Sequence, residues 1–392
     1  MLSQTMHGQR LVYLDSAATS LKPECVIEAE RDFYRNHYGT VHRALYELAA
    51  YATSHYDAAR SQIQRFLHAA SAREIIHTRS TTESINLVAY SFGKAFVREG
   101  DEILVSELEH HSNIVPWQIM CEDRGGIIRV IPVDDQGQLD MKAYGKLLNR
   151  RTKMVAVCHM ANATGTINPV AEICRMAHAV GAKVLVDGAQ AAAHLLVDVQ
   201  AIGCDFYAFS GHKVFGPTGV GVLYGKEELL NAMPPYQGGG DMIDQVTFEK
   251  TTYNCLPIKF EAGTPMISQV IALGVALQYL EKVGMEVIDA WERDLLNYVT
   301  ERLQSIQGLR IIGTTPHKGP IVSFWVDGFQ PLDIGTLLDL RGVAVRTGHH
   351  CAQPTMKRFG VPATTRASFA FYNTRDDIDI FVDALQNIVG GI

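Results

Sequence analysis

The stretch MVAVCHMANATGTINPVAEICRMAHAVGAKVLVDGAQ, residues 154–190, carries the clearest indication of architecture in this chain. Residues 154–157 and 183–186 are short apolar runs, which predict buried strands. Between them, Asn168-Pro169 favours the start of a helix, with Asn as the capping residue and Pro at the first helical position. Gly181 favours the end of that helix. Strand, helix and strand in this order predict a βαβ unit, and hence a parallel sheet that is buried on both faces.

Apolar runs on either side of this unit extend the predicted sheet. They predict strands at 103–105, 127–133, 206–209 and 220–223. From about residue 267 the pattern changes to one typical of a smaller α+β domain. Its predicted elements are helices at about 268–283, 285–307 and 331–341, strands at 309–312 and 321–326, and a closing amphipathic helix from about Arg375.

The bulk composition argues against several classes of protein. The 392 residues carry a formal net charge of -7 and no basic stripe, so we expect no nucleic-acid partner. The longest apolar stretch, 267–280, is shorter than the roughly 20 residues that a membrane span needs. The seven cysteines are scattered and form no CxxC pair, which argues against a disulfide framework or a zinc ribbon. Because the N-terminus lacks an apolar signal segment, we expect a reduced, cytoplasmic protein.

Asp187 directly follows the predicted strand at 183–186, and ligands of open α/β sheets bind at the carboxyl ends of strands. A carboxylate there can pair with the protonated nitrogen of a pyridine ring and hold that ring as an electron sink. Gln190 could hydrogen-bond a hydroxyl of the same ring. The alternatives are a carboxylate that only caps the next turn and a surface glutamine. Taken alone, each residue fits its alternative better.

The run SGHK, residues 210–213, also follows a predicted strand. A lysine that is partly removed from water at a strand end can have a lowered pKa and form a Schiff base. Ser210 and His212 flank Lys213 with donors suited to a phosphate, whereas a solvated loop lysine is the alternative. Asp187 lies 26 positions before Lys213. This spacing allows one more crossover before the chain returns to the same edge of the sheet.

The run RSTTE, residues 79–83, precedes a helical pattern. The free backbone N–H groups of a helix start, together with the hydroxyls of Thr81 and Thr82, suit a phosphate. The alternative is a capping box between Ser80 and Glu83. Both can hold at once, because a capped helix start can still bind a phosphate.

His110 lies in the run EHHSN, which follows another predicted strand. Its ring could stack on a flat cofactor and move protons near neutral pH. The alternatives are a metal ligand together with His111 and an ordinary loop histidine. Because no acidic or thiol side chain lies at a useful spacing for a metal nearby, we expect no metal site.

The stretch RTGHHCAQP, residues 346–354, places two histidines and Arg346 close to Cys351. Positive groups favour the thiolate, which is the nucleophilic form of cysteine. The alternative is a structural or metal-binding cluster, but neighbouring residues on a tight loop cannot easily all face one ion. We therefore favour a reactive cysteine. Arg366, in the run TTRASFAFYN, could bind a substrate carboxylate bidentately, with a structural salt bridge as its alternative.

Taken together, these motifs resemble those of a known family. In chain order they are DSAAT, TTES, EHHSNIVPW, VDGAQ, SGHKVFGPTGVGVLYG, FEAGTP and RTGHHCAQP. From about Tyr13 to the closing helix, the chain resembles the group II cysteine desulfurases of the Suf type. This group includes selenocysteine lyases and belongs to the class V aminotransferases. The combination of SGHK with RTGHHCAQP is the specific part of the resemblance.

The resemblance implies an α/β protein with the fold type I of the pyridoxal 5'-phosphate (PLP)-dependent transferases, assembled as a homodimer. A large PLP-binding domain with a mainly parallel seven-stranded sheet would span 23–266. A small α+β domain would span 267–392 together with the N-terminal segment 1–22. The implied reaction converts L-cysteine, or L-selenocysteine, to L-alanine. The sulfur would pass as a persulfide on Cys351 to a small acceptor protein of the Suf system, for iron–sulfur cluster assembly.

The positions of the motifs also assign individual roles. Lys213 would form the Schiff base, Asp187 would pair with the ring nitrogen, and Cys351 would be the nucleophile. The other cofactor contacts would be Gln190 at the ring hydroxyl, His110 stacked on the ring, Thr82, Ser210 and His212 at the phosphate, and Thr264 from the other subunit. The substrate carboxylate would bind Arg366, with Asn162 and Arg346 close to it and with His42 and Arg43 near the entrance.

The run HMANATG, residues 159–165, departs from the family pattern, in which serine more often precedes the asparagine and Val-Leu follows it. Asn162 remains, so we expect altered packing with its role retained. Two alternative functions stay open. A class V aminotransferase or kynureninase-like lyase would share Lys213 and Asp187 but would not need Cys351. A sulfur carrier without a cofactor would use Cys351 alone.

Overall fold

A seven-stranded sheet forms the centre of the computed structural model, which describes residues 1–391. In chain order its strands are β1 (Ile75–Thr78), β2 (Glu102–Ser106), β3 (Ile127–Ile131), β4 (Thr152–Cys158), β5 (Lys183–Asp187), β6 (Phe206–Ser210) and β7 (Gly221–Gly225). Their order in space is β1-β7-β6-β5-β4-β2-β3. Strands β2 to β6 run parallel, and β7 runs antiparallel to both of its neighbours. The mainly parallel seven-stranded sheet is therefore confirmed.

Helices and apolar side chains cover both faces of this sheet. In chain order, the helices up to residue 283 are α1 (Glu24–Asp32), α2 (Glu47–Phe66), α3 (Thr81–Phe96), α4 (Val115–Arg124), α5 (Met141–Leu147), α6 (Val170–Ala179), α7 (Val199–Ile202), α8 (Glu227–Ala232) and α9 (Ile267–Val283). Val155 and Val157 of β4 face one apolar cluster, and Met154 and Ala156 face the other. This alternation shows why the strand reads as a continuous apolar run.

The predicted βαβ unit consists of β4, α6 and β5. Gly181 follows the helix with a φ of 86°, in the left-handed region that glycine adopts without strain, as predicted. The prediction that Asn168 caps α6 is wrong. Pro169 occupies the capping position, and Asn168 instead donates its side-chain N–H to the carbonyl of Cys158 at 2.7 Å. The asparagine is buried, and it secures the end of β4 rather than the start of the helix.

The C-terminal part of the chain forms a four-stranded antiparallel sheet, ordered β8-β9-β11-β10, with helices against it. Its elements are β8 (Leu309–Ile312), β9 (Ile321–Val326), β10 (Arg346–Gly348), β11 (Thr364–Ser368), α10 (Met285–Gln304), α11 (Pro331–Asp339), α12 (Gln353–Arg358) and α13 (Arg375–Gly390). The domain division at residue 266 stays a prediction. Helix α9, which follows that point, buries Val270, Leu273 and Leu277 in the same apolar cluster as the large sheet.

The N-terminal segment joins the two sheets. Val12–Tyr13 pairs in parallel with Val343–Ala344 beside the smaller sheet. A few residues later, the N–H of Ser20 donates to the carbonyl of His212 at 3.1 Å, just beyond β6. Two short hairpins complete the strands, Thr5–Met6 with Gln9–Arg10 and Ile243–Val246 with Thr251–Tyr253. Within residues 1–391, no helix combines the length and the apolar character that crossing a membrane requires.

Candidate active site

A cavity of about 230 Å³ lies at the carboxyl ends of β5 and β6, beneath the loop between β10 and α12. All of the residues predicted to hold the cofactor, bind the substrate or carry out the reaction line it, except Thr264. They are Thr82, His110, Asn162, Asp187, Gln190, Ser210, His212, Lys213, Arg346, Cys351 and Arg366. Residues as far apart in sequence as Thr82 and Arg366 thus meet in one cavity at the carboxyl ends of the strands, where open α/β sheets bind their ligands.

Lys213 ends a short turn that follows β6, and its side chain is enclosed in the cavity. Burial lowers the pKa of its amine to about 8, although the nearby carboxylate of Asp187 acts in the opposite direction. Gly211 makes this turn possible, since a Cβ there would lie 2.6 Å from a methyl carbon of Val220. An amine with this pKa is partly uncharged near neutral pH, and is then able to attack a carbonyl.

Asp187 is buried at the end of β5 and accepts a hydrogen bond from the N–H of Ala189 at 2.9 Å. Burial raises the pKa of its carboxyl group, while that hydrogen bond and Lys213 lower it. The next position requires glycine, because a Cβ on residue Gly188 would lie 2.1 Å from the ring of Tyr207. The site thus offers a fixed, buried carboxylate that a protonated ring nitrogen would neutralise.

The start of α3 closes one end of the cavity with hydrogen-bond donors. The hydroxyl of Ser80 accepts from the N–H of Glu83 at 3.3 Å, which is half of the predicted capping box. The other half is absent, because the Glu83 carboxylate accepts the N–H of Arg79 at 2.6 Å instead. The N–H of Thr81 donates to the hydroxyl of Ser210 at 2.8 Å. This hydrogen bond joins the helix start to the end of β6.

Thr82 and His212 complete this end of the cavity. The Thr82 side chain is exposed and shares a 2.7 Å hydrogen bond with the hydroxyl of Ser112. Burial lowers the pKa of His212 to about 4, so its ring is neutral at physiological pH. Hydroxyl groups beside a helix N-terminus suit a phosphate dianion, since both favour negative charge.

His110 lines the cavity at the start of the short turn after β2. Its Nδ1 accepts the N–H of Ser112 at 3.1 Å, so the neutral ring carries its proton on Nε2. Burial and the charge of Lys213 lower its pKa to about 4.

The sequence did not single out Glu109, which is buried beside His110. Its carboxylate accepts hydrogen bonds from the side-chain N–H of Asn113 at 2.7 Å and from the backbone N–H of Cys158 at 3.1 Å. It anchors the His110 loop to the end of β4.

Arg366 is fully buried on β11 and lies directly opposite Arg346 of β10. One of its terminal N–H groups donates to the carbonyl of Asn162 at 3.0 Å, and another donates to Asp15 at 3.2 Å. Within residues 1–391 its Nε has no partner. Burial lowers the pKa of the guanidinium to about 10, whereas Asp15 favours the charged form. Two guanidinium groups with one carboxylate leave net positive charge, which suits a substrate carboxylate.

The loop that carries Cys351 is held from both sides. The N–H of His111 donates to the Cys351 carbonyl at 2.8 Å, and the amide of Asn162 donates to the His350 carbonyl at 2.7 Å. The His350 ring also pairs with the hydroxyl of Thr364 at 2.8 Å. His350 and Cys351 both have a positive φ, 54° and 55°, which costs non-glycine residues energy and marks a constrained turn.

Asn162 therefore contacts both the Cys351 loop and, through its carbonyl, Arg366. The unusual neighbours of Asn162 in HMANATG leave these two contacts in place. In the part of the chain that the structure describes, all seven cysteines are free, and no three His, Cys, Asp or Glu side chains gather as a metal site would require. The half-buried Cys351 is one of the residues that line the cavity.

Thr264 lies elsewhere in this single chain. It is exposed and borders a neighbouring cavity of about 180 Å³, next to Tyr56 and Glu261. A buried ion pair between Arg60 and Glu261, at 2.7 and 2.8 Å, holds this segment in place. His42 and Arg43 are also absent from the lining of the main cavity and pair with surface carboxylates. The contribution of Thr264 to another subunit's site stays a prediction.

Known proteins resemble this chain over nearly its whole length. The Aminotransferase class-V family profile matches residues 12–381. A cysteine desulfurase of Synechococcus elongatus is 52% identical over 391 residues, which cover 100% of this chain and 62% of that protein. A cysteine desulfurase of Dickeya dadantii is 50% identical over 389 residues, covering 99% of this chain and 94% of that protein. The first of these relatives thus has considerable further sequence, whereas the second does not.

Solved structures agree with these relatives. The cysteine desulfurase CsdA of Escherichia coli, in its S-sulfonic acid form, has a TM-score of 0.92 at 42% identity and covers 97% of this chain and 95% of its own. The apo cysteine desulfurase of Thermococcus onnurineus has a TM-score of 0.95 at 37% identity, with 100% and 98% covered. The fold type predicted from the motifs is confirmed.

The chain belongs to the class-V aminotransferase family, whose enzymes depend on PLP. Within that family it groups with the cysteine desulfurases, as its motifs predicted. The cavity fits the cofactor. Asp187 would hold the ring nitrogen, Lys213 would bind the aldehyde carbon, and the start of α3 with Ser210 would receive the phosphate.

Proposed function

We propose that this protein is a cysteine desulfurase that converts L-cysteine to L-alanine and takes the sulfur onto Cys351 as a persulfide. The observation that carries the proposal is the position of Cys351, which lines the same cavity as Lys213 and Asp187. A transaminase on this fold would need the amine and the carboxylate but no thiol beside them. A bare sulfur carrier would need only the thiol. The cavity combines all three groups, and the relatives named cysteine desulfurases support the same reading.

The residues around the cavity suit the parts of this reaction. PLP bound at Lys213 and Asp187 would supply an electron sink for the α-carbon of the substrate. Arg366 and Arg346 would hold the substrate carboxylate and so orient the α-carbon. The Lys213 amine, with its lowered pKa, can take up and return a proton there. The neutral His110 ring can do the same beside it.

Sulfur transfer uses the Cys351 thiolate as the nucleophile. Its sulfur attacks the sulfur of the substrate, the carbon–sulfur bond of the substrate breaks, and the bond electrons stay with the carbon skeleton. A proton delivered to that carbon completes L-alanine, and Cys351 retains the extra sulfur. The hydrogen bonds from His111 and Asn162 fix the loop, so the thiol stays beside the substrate without a large movement.

Mass spectrometry of the Cys351 peptide after incubation with L-cysteine tests this assignment. The wild type should gain one sulfur on this peptide and release alanine. Cys255→Ala is the matched control, because Cys255 is an exposed cysteine outside the cavity. This control should behave as the wild type, whereas Cys351→Ala should form neither product. Alanine formation at the wild-type rate by Cys351→Ala would refute the nucleophile.

We further propose a homodimer that passes its sulfur to a small Suf-type acceptor protein and so supplies iron–sulfur cluster assembly, with L-selenocysteine as a second substrate. Cys351 lies on a short loop whose His350 and Cys351 carbonyls are held by hydrogen bonds, so an acceptor must approach the sulfur rather than receive it from a moving arm. Turnover measured with and without candidate acceptor proteins tests this point. An acceptor that leaves the turnover rate unchanged is not the partner.

A further inference from the structure

His349 lies next to Cys351 but outside the cavity. Its side chain is exposed and does not line the cavity, whereas His350 and Cys351 do. The Nδ1 of His349 accepts the backbone N–H of Cys351 at 3.2 Å. This contact decides the tautomer, because a neutral ring that accepts at Nδ1 carries its proton on Nε2. The ring therefore presents an N–H donor on the solvent side of the Cys351 loop.

A second histidine, His111, lies beside this ring, with 5.7 Å between the two ring centres. Its backbone N–H is used by the Cys351 carbonyl, and its Nε2 accepts the N–H of Gln353 at 3.2 Å. His111 is thus occupied in holding the loop. Among the hydrogen bonds of residues 1–391, the His349 side chain makes only the one with the Cys351 amide, so its Nε2 is available to an incoming molecule.

Each half of the proposed reaction takes place on a different side of Cys351. Lys213 and His110, which lie in the cavity, can serve the proton transfers to the substrate carbon. In the proposed reaction, PLP and the substrate would fill the cavity, so a sulfur acceptor would not reach Cys351 through it. It must arrive from solvent, on the side where His349 is exposed.

We propose that His349 assists the transfer of sulfur from Cys351 to an acceptor thiol, an inference that rests on the proposed function. In this step the acceptor thiolate attacks the outer sulfur of the persulfide. The sulfur–sulfur bond to Cys351 breaks, and its electron pair passes to the Cys351 sulfur. The His349 N–H, which points to solvent, donates a hydrogen bond to the acceptor and so places its thiolate beside the persulfide, while the departing Cys351 thiolate takes up from solvent the proton that the acceptor thiol lost. One thiol and one persulfide become one persulfide and one thiol, so no other oxidant or reductant is needed.

The expected effect is moderate. A hydrogen bond to a charged group is worth about 1.5–3 kcal/mol, or roughly 10- to 100-fold in rate when fully expressed, and an exposed one contributes less. We therefore expect loss of His349 to slow sulfur transfer by roughly tenfold, at the low end of that range. Formation of the persulfide should change by less than about twofold, because the cavity is untouched.

The two steps can be separated with dithiothreitol as the acceptor thiol. The protein is first loaded with L-cysteine, free cysteine is removed, and dithiothreitol is added. Mass spectrometry of the Cys351 peptide follows the persulfide in both stages, and released sulfide is measured in the second. The variants are His349→Leu, which removes the donor, and His349→Gln, which retains an N–H donor. His7→Leu serves as the matched control, since His7 is an exposed histidine paired with Asp339 far along the chain.

We expect His349→Leu to load normally and to release sulfur about tenfold more slowly, with His349→Gln in between and His7→Leu unchanged. Release at the wild-type rate by His349→Leu overturns the inference. So does an equal slowing of loading and release, because that result indicates a purely structural role in the loop. If the wild type itself forms no persulfide on Cys351, the proposed function fails instead, so the two failures are distinguishable.

Discussion

Lys213 and Asp187 interact electrostatically inside the cavity, and the direction in which Asp187 shifts the pKa of Lys213 can be measured. Burial lowers the pKa of Lys213 to about 8, and the Asp187 charge partly offsets that effect. In the cofactor-free protein, Asp187→Asn should lower the pKa of Lys213 further, because the ammonium loses a favourable neighbour. Labelling of Lys213 by acetic anhydride across a pH series, followed by mass spectrometry, should show its midpoint move to lower pH.

Lys22 provides an internal control in the same samples. Burial alone lowers the pKa of its amine to about 8, with no contribution from Asp187. Its labelling midpoint should therefore stay in place in Asp187→Asn. An unchanged or raised midpoint for Lys213 would contradict the interaction.

Glu109 makes a stability prediction at the same scale. Burial raises the pKa of its carboxyl from 4.5 to about 7. Because the pKa is higher in the folded than in the unfolded protein, protonation of Glu109 stabilises the folded state. This contribution to the free energy of unfolding is fully present below pH 4.5 and is lost as the pH rises through 7. Glu109→Gln mimics the protonated form. Between pH 5 and pH 8, the wild type should therefore lose stability relative to the variant, by up to about 3 kcal/mol.

Thermal unfolding of the cofactor-free wild type and Glu109→Gln, at matched ionic strength, measures this difference. Ser106→Ala, which removes one hydrogen bond to the same carboxylate, should increase the pH dependence rather than abolish it. A stability difference that is constant from pH 5 to pH 8 would show that Glu109 does not titrate in this range.

The sequence predicted most of the polar residues that line the cavity. It missed Asp15 and Glu109, which hydrogen-bond the lining residue Arg366 and the loop of His110 from outside the lining. Lysine, cysteine and histidine at strand ends or on glycine-bracketed loops are unusual enough to attract notice. A lone aspartate before small residues is not, and Asp15 acquires its meaning only from Arg366, 351 positions away in the chain. Glu109 stands beside a conspicuous histidine pair, but its role depends on burial, which a short polar run does not reveal.

At the scale of elements, the turn after β5 depends on Gly188. A Cβ at this position would overlap the ring of Tyr207, which is buried and hydrogen-bonds His159 at 3.1 Å and so cannot move aside. Gly188→Ala should therefore displace the end of β5, including Asp187. We expect a loss of about 1–3 kcal/mol in stability and weaker PLP binding.

Absorption titration with PLP and thermal unfolding together test this prediction. Gly238→Ala is the matched control, because a Cβ there meets nothing within 4 Å. It should match the wild type in both measurements. Normal PLP affinity in Gly188→Ala would mean that Asp187 keeps its position despite the overlap.

Element boundaries were predicted well where periodicity was strong. The predicted helix at 268–283 is observed at Ile267–Val283, and the strands at 309–312 and 321–326 match in full. Strand β1 was not predicted, because the four residues Ile75–Thr78 are too few to show a period before the next helix begins. The prediction that Asn168 caps α6 was wrong because the side chain of Asn168 hydrogen-bonds the buried end of β4 instead. That contact depends on the tertiary structure, which the local sequence does not show.

At the scale of the whole molecule, the proposed dimer makes Thr264 testable. Thr264 is exposed in one chain, and the apolar Leu45 and Phe248 are fully exposed as well, as uncovered interface residues would be. If Thr264 serves the partner's phosphate site, Thr264→Ala should weaken PLP binding by roughly 10- to 100-fold, the usual cost of one hydrogen bond to a charged group.

Mixing two defective chains decides whether Thr264 acts between subunits. A chain with Thr264→Ala and a chain with Lys213→Ala would together form one site that contains both intact residues. Tight PLP binding should therefore reappear at half of the Thr264→Ala sites after subunit exchange. Absorbance of the bound cofactor measures this recovery. No recovery in mixtures shown to contain heterodimers would place Thr264 in its own chain's site or in none.

The N-terminal segment has a consequence for how the protein is made. Val12–Tyr13 pairs with Val343–Ala344, and Asp15 meets Arg366, so these residues leave the ribosome more than 300 residues before the partners that they need. At roughly 5–20 residues per second, the segment waits on the order of tens of seconds. The large sheet, whose strands lie between residues 75 and 225, can assemble during that interval. The part of the cavity wall that joins Asp15 to Arg366 therefore forms only after Arg366 has left the ribosome, so a chain that stops before residue 366 lacks it.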